Sequence, residues 1–241
     1  MYIMKKNILY SLLISTVATV GLSSCDAFLE ENPKDQITEE QAYQNSTLLY
    51  LNTVASLYTQ VGANGGGSGF QGTDRGLYDL NTFTTDEAML PTRGGDWYDG
   101  GLWQNLFLHN WGTKNDLVKG SWDYLYKVIA QANQSLDKLK EILENNPENI
   151  SVPKYISEVR AFRAMYYYYL LDMFARVPLV TSSSVAMEDV VQSERSAVFN
   201  FVRTELEESV EDLSDAHSNL TGEYYGRITK PVAYFLLAKL A

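Results

Sequence analysis

The chain has 241 residues, of which 45% are hydrophobic, 12% aromatic and 20% charged. These values are typical of a globular protein and exclude a disordered, collagen-like or coiled-coil chain. A single cysteine excludes a disulfide framework and any CxxC metal or redox site. With 19 basic and 30 acidic residues, the formal net charge is −11. This charge argues against nucleic acid as a partner, because phosphate binding needs clustered lysine and arginine.

The first residues have the pattern of a bacterial lipoprotein signal peptide, which we predict over residues 1–24. Two lysines precede an apolar run, Ile8–Val20, that carries no charge and is too short to span a membrane. Small residues then lead to the only cysteine, Cys25, in a pattern that resembles a bacterial lipobox. We therefore expect cleavage before Cys25 and acylation of its side chain, which would anchor the chain in a membrane. The acidic, polar segment 25–38 predicts an extended tether.

Helical periodicity predicts five helices. A capping-box sequence, Thr38–Gln41, and apolar residues at helical spacing that include Leu51 predict the first helix over about 39–60. The second helix is expected to begin at Trp122 and to stop at Asn145–Pro147, the third to cover about 153–175 and the fourth about 194–213. The fifth is expected to begin at a Thr229 cap, with Pro231 in its first turn. No stop signal precedes Ala241 in this last helix, which predicts that the chain continues beyond it.

The segment 62–120 differs in kind from the rest of the chain. It holds 13 of the 16 glycines and three of the four tryptophans, and no long helical period survives in it. We predict a loop-rich region here, because glycine in excess gives the backbone conformational freedom. Large aromatic side chains in such loops either fold back onto the core or are displayed to a ligand.

The helices after residue 120 have features of tetratricopeptide repeats. Trp122 and Leu125 have the spacing of the first helix of such a unit, and Ala164 and Tyr168, with Pro178 beyond them, resemble the second. Ordinary antiparallel helix packing accounts for these residues equally well. Both interpretations predict an all-α fold.

Charged and aromatic side chains on the third predicted helix are interpreted as structural. Arg160 and Arg163 are expected to pair with Glu158 or with loop carbonyl groups. Tyr166 and Tyr167 belong to a run of four tyrosines that cannot all face one way, and we expect these two to lie mostly in the core.

Several segments, spread over the whole chain after the predicted signal peptide, have the character of family motifs, although none of them is specific by itself. They are Cys25–Pro33, Thr85–Glu87, Pro91–Trp97, Trp122–Leu139, Glu158–Leu170, Val177–Leu179 and Gly226–Lys230. Together these segments resemble the SusD/RagB-like outer-membrane lipoproteins of Bacteroidetes.

The resemblance implies a fold and a function. It implies tetratricopeptide-like helix pairs with a long Gly/aromatic-rich loop region. Residues 39–241 would then be the N-terminal helical domain of a longer family chain. Within this domain the loop-rich ligand region covers about 62–120 and the helix pairs about 121–241. It also implies a surface-exposed protein of the cell outer membrane that binds a glycan without cleaving it and acts as a lid over a SusC-like TonB-dependent transporter. No cofactor is expected apart from the lipid on Cys25, and no metal site.

A sugar-binding site needs flat apolar faces for pyranose C–H groups and planar hydrogen-bonding side chains for hydroxyls. The loop 93–103 offers both. An alternative for Trp103 and Trp111 is burial, because these two residues and Phe107 are spaced as on one face of a short core helix. The predicted ligand contacts are Trp97, Tyr98 and Trp103 as the platform and Arg93, Asp96 and Asp99 as polar groups.

Two other functions stay open. Asp86 and Glu87 are paired carboxylates near tryptophans, a combination that also describes a glycoside hydrolase, with Asp96 or Asp99 as a further carboxylate. Asp86 is otherwise predicted to contact the ligand or to fix the geometry of its loop. Tetratricopeptide-like helices commonly bind protein surfaces, so an interaction scaffold or a peptide-binding lid of the same import complex is the second alternative.

Overall fold

A computed structural model describes residues 39–62, 69–70, 76–216 and 222–241. The predicted signal peptide, Cys25 and the tether lie outside the described residues. Residues 1–42 form one unit, whose described part is the short helix α1, Glu39–Ala42. Tyr43–Ala241 form a second unit, which carries all the features discussed below.

The predicted first helix is wrong as a single element. It is interrupted after Ala42, because the side-chain oxygen of Asn45 accepts the backbone N–H of Leu48 at 3.0 Å and thereby starts a new helix. The pieces after the break are α2, Ser46–Tyr50, a π-helical turn, Leu51–Ala55, and α3, Ser56–Tyr58.

The π-helical turn also changes which residues face the core. A wider turn rotates the following residues relative to a regular α-helix. Leu51, expected on the apolar stripe, is 48% exposed, whereas Leu57 is completely buried. A pattern with a regular 3.6-residue period cannot represent such a shift.

The four later helices of the prediction are present, and two short helices also lie within the segment predicted as loop-rich. The all-α prediction is confirmed for the described residues. None of these helices is both long and apolar enough to cross a membrane. Short 3₁₀ turns lie at Asp99–Gly101, Met187–Asp189 and Gly222–Tyr224. The helices are α4 Leu77–Phe83, α5 Leu102–Phe107, α6 Asp116–Asn145, α7 Val152–Phe174, α8 Arg195–Ser209 and α9 Lys230–Leu240.

Two helix starts differ from the prediction. Helix α6 begins six residues before Trp122, because the Asn115 side chain accepts the backbone N–H groups of Leu117 and Val118 and caps it. At α9, Pro231 lies in the first turn as predicted, but the side chain of Thr229 makes no capping hydrogen bond. Thr229 is instead buried beside the helix start.

Helices α6 to α9 pack successively, each against the next, as in a stack of tetratricopeptide-like hairpins. Tyr166 and Tyr167 on α7 are completely buried, which confirms the prediction. The hydroxyl of Tyr166 lies 2.9 Å from that of Tyr124 on α6. Burial raises the pKa of Tyr124 to about 12 and that of Tyr167 likewise to about 12. Both rings therefore stay neutral at physiological pH, as a core requires.

A buried carboxylate joins three distant parts of the chain. Glu158 on α7 accepts two hydrogen bonds from the guanidinium of Arg227, at 2.6 and 3.0 Å, and a third from the hydroxyl of Tyr58 at 2.7 Å. The Arg227 guanidinium also lies between the rings of Tyr50 and Tyr224, at 4.8 and 4.9 Å. This interaction connects α2, α3 and the segment just before α9 to α7.

A second buried ion pair joins α7 to α8. Arg163 donates to Glu205 at 2.6 Å, and both side chains are less than a tenth exposed. The expected partner, Glu158, is thus replaced by Glu205, because Glu158 is already paired elsewhere. The expected loop carbonyl is found, since Arg163 also donates to the carbonyl oxygen of Thr181 at 2.9 Å. Arg160 pairs with Glu205 from the other side.

The ion pair generates a stability prediction. In Glu205→Ala the buried guanidinium of Arg163 loses its counter-ion, and we expect the free energy of unfolding to fall by about 3 kcal/mol. Glu207→Ala on the same helix is the matched control, because its side chain is 58% exposed and only loosely paired with Arg203. Its expected loss is below about 0.5 kcal/mol. Urea unfolding measures both, and equal losses would contradict the structural role of the pair.

Candidate functional site

The loop region is built on a small core of its own. Leu80 on α4, Trp103 and Leu106 on α5, and Leu117 on α6 pack together away from the main core. Helices α4 and α5 have only seven and six residues, too few to be stable alone. Their packing against the first turn of α6 therefore positions the loops that they carry.

A tight turn presents the first predicted ligand residues. The backbone groups of Arg93 and Asp96 exchange two hydrogen bonds, at 3.0 and 3.1 Å, around Gly94 and Gly95. Gly94 has φ +64, as the first central residue of a type II′ turn requires. The side chains of Arg93 and Asp96 are both exposed on this turn.

Trp97 is displayed at the surface and is braced from one side. Its ring is 48% exposed and meets the ring of Trp103 edge-to-face at 6.1 Å. Its backbone has φ +57, which costs a non-glycine residue on the order of 1 kcal/mol. The neighbouring Tyr98 is 53% exposed. The expectation that Trp97 is displayed rather than buried is confirmed.

Trp103 does not form part of an exposed platform. Its side chain is only 2% exposed, so neither face of the indole is open to a ligand. Its N–H donates to the Asp99 carboxylate at 2.8 Å, and its ring packs edge-to-face on Phe83 at 5.2 Å. This burial in the small core overturns the prediction that Trp103 contacts the ligand and confirms the alternative that it is a core residue. Trp103 instead supports Trp97 and fixes Asp99.

Trp111 lies outside the core, although its spacing from Trp103 also predicts a position on the buried face of a short helix. Helix α5 ends at Phe107, and His109 follows with φ +54, so the four-residue spacing no longer holds beyond the helix. Trp111 is 40% exposed and packs edge-to-face on the His109 ring at 5.4 Å. His109 Nε2 donates to the carbonyl oxygen of Thr84 at 2.7 Å.

The predicted carboxylates Asp86 and Glu87 lie just after α4 and are both exposed. The contacts that shape this bend come from Thr85, whose hydroxyl donates to the Thr82 carbonyl at 2.7 Å and accepts the Glu87 amide at 3.2 Å. A glycosidase general acid needs an apolar enclosure that raises its pKa. Exposed side chains on an open bend lack such an enclosure.

The structure places most of the predicted site residues on one exposed loop. This loop carries Arg93, Asp96, Trp97, Tyr98 and Asp99. Asp86 lies just after α4, the helix that supports the loop through Trp103. Among the described residues, no group of three or more histidine, cysteine, aspartate or glutamate side chains is arranged to hold a metal ion.

Sequence reasoning missed two side chains that support tryptophans of the loop region, one of them buried and the other exposed. Phe83 supports Trp103 from α4, and His109 supports Trp111. Neither lies in a recognisable motif. The one available signal was the joint enrichment of glycine and aromatic residues in this segment. Such a composition indicates loops, but it does not show which aromatic ring packs against which.

Comparison with known proteins identifies the family. A family model described as SusD-like, starch-binding associating with outer membrane, matches residues 27–241. The chain therefore belongs to the SusD-like family, as its sequence motifs predicted.

The individual relatives are more distant. A SusD-like protein of Bacteroides ovatus is 23% identical over 234 residues, which cover 95% of this chain and 38% of the relative. The starch-binding protein SusD of Bacteroides thetaiotaomicron is 22% identical over 241 residues, covering 96% of this chain and 40% of that protein. A laminarin binding SusD-like protein of known structure has a TM-score of 0.63 and 27% identity, over 81% of this chain and 40% of that one. The chain spans about two fifths of the length of the curated relatives it matches.

The bond between Trp103 and Asp99 generates a prediction for the loop. In Asp99→Ala the buried indole N–H loses its acceptor, and we expect a loss of about 1–2 kcal/mol in the free energy of unfolding and a shift of tryptophan emission. Asp96→Ala is the control, because its turn is held by backbone groups that alanine keeps. Urea unfolding followed by fluorescence measures both variants. A loss in Asp96→Ala as large as in Asp99→Ala would disprove the proposed support.

Proposed function

We propose that the protein is a non-catalytic, lipid-anchored subunit of the outer membrane that binds an oligosaccharide or polysaccharide and delivers it to a SusC-like TonB-dependent transporter. The observation that supports this most directly is the exposed pair Trp97 and Tyr98 on a braced loop. Membership of the SusD-like family gives this surface its context, since the similar proteins carry names such as starch-binding and laminarin binding.

The chemistry of the loop suits a neutral glycan. Aromatic faces attract sugar C–H groups, and the exposed side chains of Arg93, Asp96 and Asp86 offer donors and acceptors to hydroxyl groups. Net negative charge does not repel an uncharged ligand. Each aromatic contact contributes on the order of 1 kcal/mol, so single contacts bind weakly. Repeated contacts along a polymer raise retention through effective concentration.

Binding without hydrolysis fits the surroundings of the carboxylates. Asp86 and Glu87 are exposed neighbours on a bend, so neither has the dry setting that a glycosidase acid requires. We therefore assign these side chains to ligand contact or to the surface and not to catalysis.

A protein- or peptide-binding role is the second candidate, and a separate surface favours it. An apolar groove of about 460 Å³ runs between α6 and the segment after α7, lined by residues that include Trp122, Tyr126, Val185 and Met187. Met187 is 83% exposed beside it. Glycan binding that failed while co-purification with a SusC-like transporter succeeded would favour this second role.

The glycan proposal predicts the behaviour of one variant. In native gels that contain soluble starch or laminarin, we expect one polymer to slow the migration of the wild-type protein without release of reducing ends. Trp97→Ala should weaken this binding about fivefold or more, because the main exposed aromatic face is lost. Tyr234→Ala is the matched control, since it removes an aromatic ring that is 57% exposed on α9, outside the loop region.

Two outcomes would contradict the proposal. Migration unchanged by either polymer, and by a wider panel of polysaccharides, would remove glycan capture. Release of reducing ends would show that the carboxylates act as a glycosidase.

The anchor is tested separately. In a Bacteroides host, we expect the full chain to fractionate with the outer membrane and to incorporate labelled palmitate, because several acyl chains anchor a protein firmly. Cys25→Ala should abolish both the label and the membrane association, while Ser24→Ala, a change to another small residue, should preserve them. Membrane association that persists in Cys25→Ala without the label would contradict the lipid anchor.

A further inference from the structure

Exposed aromatic and aliphatic side chains are concentrated in the loop region. Monomeric proteins rarely expose such groups close together unless the surface has a binding role. Within the described residues, six large hydrophobic side chains from α4 to the start of α6 are well exposed. They are Tyr78, Met89, Trp97, Tyr98, Leu108 and Trp111. Trp111 is the one exposed tryptophan among them that the predicted site leaves out.

Trp111 has the same kind of mounting as Trp97. Each indole is met edge-to-face by one supporting ring: Trp103 at 6.1 Å for Trp97, and His109 at 5.4 Å for Trp111. Each keeps a large part of its surface open to solvent, at 48% and 40% exposure. An indole held in this way loses little conformational entropy when a ligand stacks on it.

The supporting rings of both tryptophans contact the end of α4. The ring of Phe83 holds Trp103 at 5.2 Å, and the carbonyl oxygen of the next residue, Thr84, accepts the His109 hydrogen bond at 2.7 Å. Two consecutive residues thus fix the two exposed tryptophans, each through one intermediate ring. Helix α5, about 9 Å long for six residues, separates the two sites along the chain.

The backbone is strained at both positions. Trp97 has φ +57 and His109 has φ +54, both in the left-handed region that disfavours residues other than glycine. Asp99, between them in the chain, has φ +42. Each such residue costs on the order of 1 kcal/mol and persists where the surroundings hold it, a pattern that is concentrated at ligand sites.

We propose that Trp111, supported by His109, forms a second sugar-binding subsite that contacts another unit of the same glycan chain as Trp97. The inference rests on the proposed glycan-binding function and deepens it. The ligand is then a chain long enough to reach both rings, and the site selects for length as well as for sugar type. Asp86 is exposed and follows Thr84 by two residues, so the proposed subsite includes its carboxylate as a polar contact.

Chain-length dependence tests this inference. The probes are maltose and laminaribiose, each with its longer oligosaccharides up to the heptasaccharide, titrated into the full mature chain in a calorimeter. We expect wild-type affinity to rise with length and then level off. Trp111→Ala should bind the disaccharide like the wild type but lose about three- to tenfold in affinity for the longest chain. Trp97→Ala should lose affinity at every length.

Two further variants separate a stacking surface from a general apolar patch. Leu108→Ala removes a neighbouring side chain that is 67% exposed but has no aromatic face, and it should bind like the wild type at every length. Trp111→Phe keeps a flat ring and should retain most of the affinity for long chains. Thermal unfolding of each variant checks that the loop remains folded.

The outcomes distinguish this inference from the proposed function. Disaccharide binding that depends on Trp97, together with unchanged long-chain affinity in Trp111→Ala, would overturn the second subsite alone. Equal losses in Leu108→Ala and Trp111→Ala, or in Trp111→Phe and Trp111→Ala, would also overturn it. Failure of the wild type to bind any of these probes would overturn the inference, and failure in the wider panel of polysaccharides as well would overturn glycan capture.

Discussion

Two charges buried on α7 constrain how the whole described domain packs. Glu158 and Arg163 each need a counter-ion, because an unpaired charge inside a protein costs several kcal/mol. Glu158 pairs with Arg227, which lies just before α9, and Arg163 pairs with Glu205 on α8. Tyr58 adds the first helical segment through its bond to Glu158. These contacts fix the positions of α3, α8 and the start of α9 against α7. They also explain why the motifs Glu158–Leu170 and Gly226–Lys230, far apart in sequence, meet in one interaction.

The same framework carries the candidate site. Helix α6 packs along α7, and its first turn contributes Leu117 to the small core that supports α4 and α5. The core buries Trp103 so that Trp97 is held at the surface, and the end of α4 holds His109 beneath Trp111. The small core and the end of α4 therefore hold the exposed rings of the proposed site in place. Such preorganisation lowers the entropy cost of binding a flexible ligand.

The sequence predicted the long helices well and the short ones poorly. From Trp122 onward the apolar period extends over many turns, so packing and pattern agree and the helix ends differ by only a few residues. The first segment failed because a cap at Asn45 and a π-helical turn both break a regular period. In the site, the exposure of Trp97 was predicted correctly, and of the two alternatives for Trp103 the structure selects burial and not the platform. Spacing treats Trp103 and Trp111 alike, although α5 ends between them.

The sequence by itself determined the all-α class, the family, the lipobox pattern and the location of the Gly/aromatic-rich loops, because periodicity, composition and motifs are local properties. Tertiary structure decided which partner each buried charge takes and which aromatic rings face solvent. Glu158 and Arg163 are five residues apart on one helix, yet they pair with different segments. Such choices depend on competition for partners distant in sequence, which becomes visible only when the helices are packed in three dimensions.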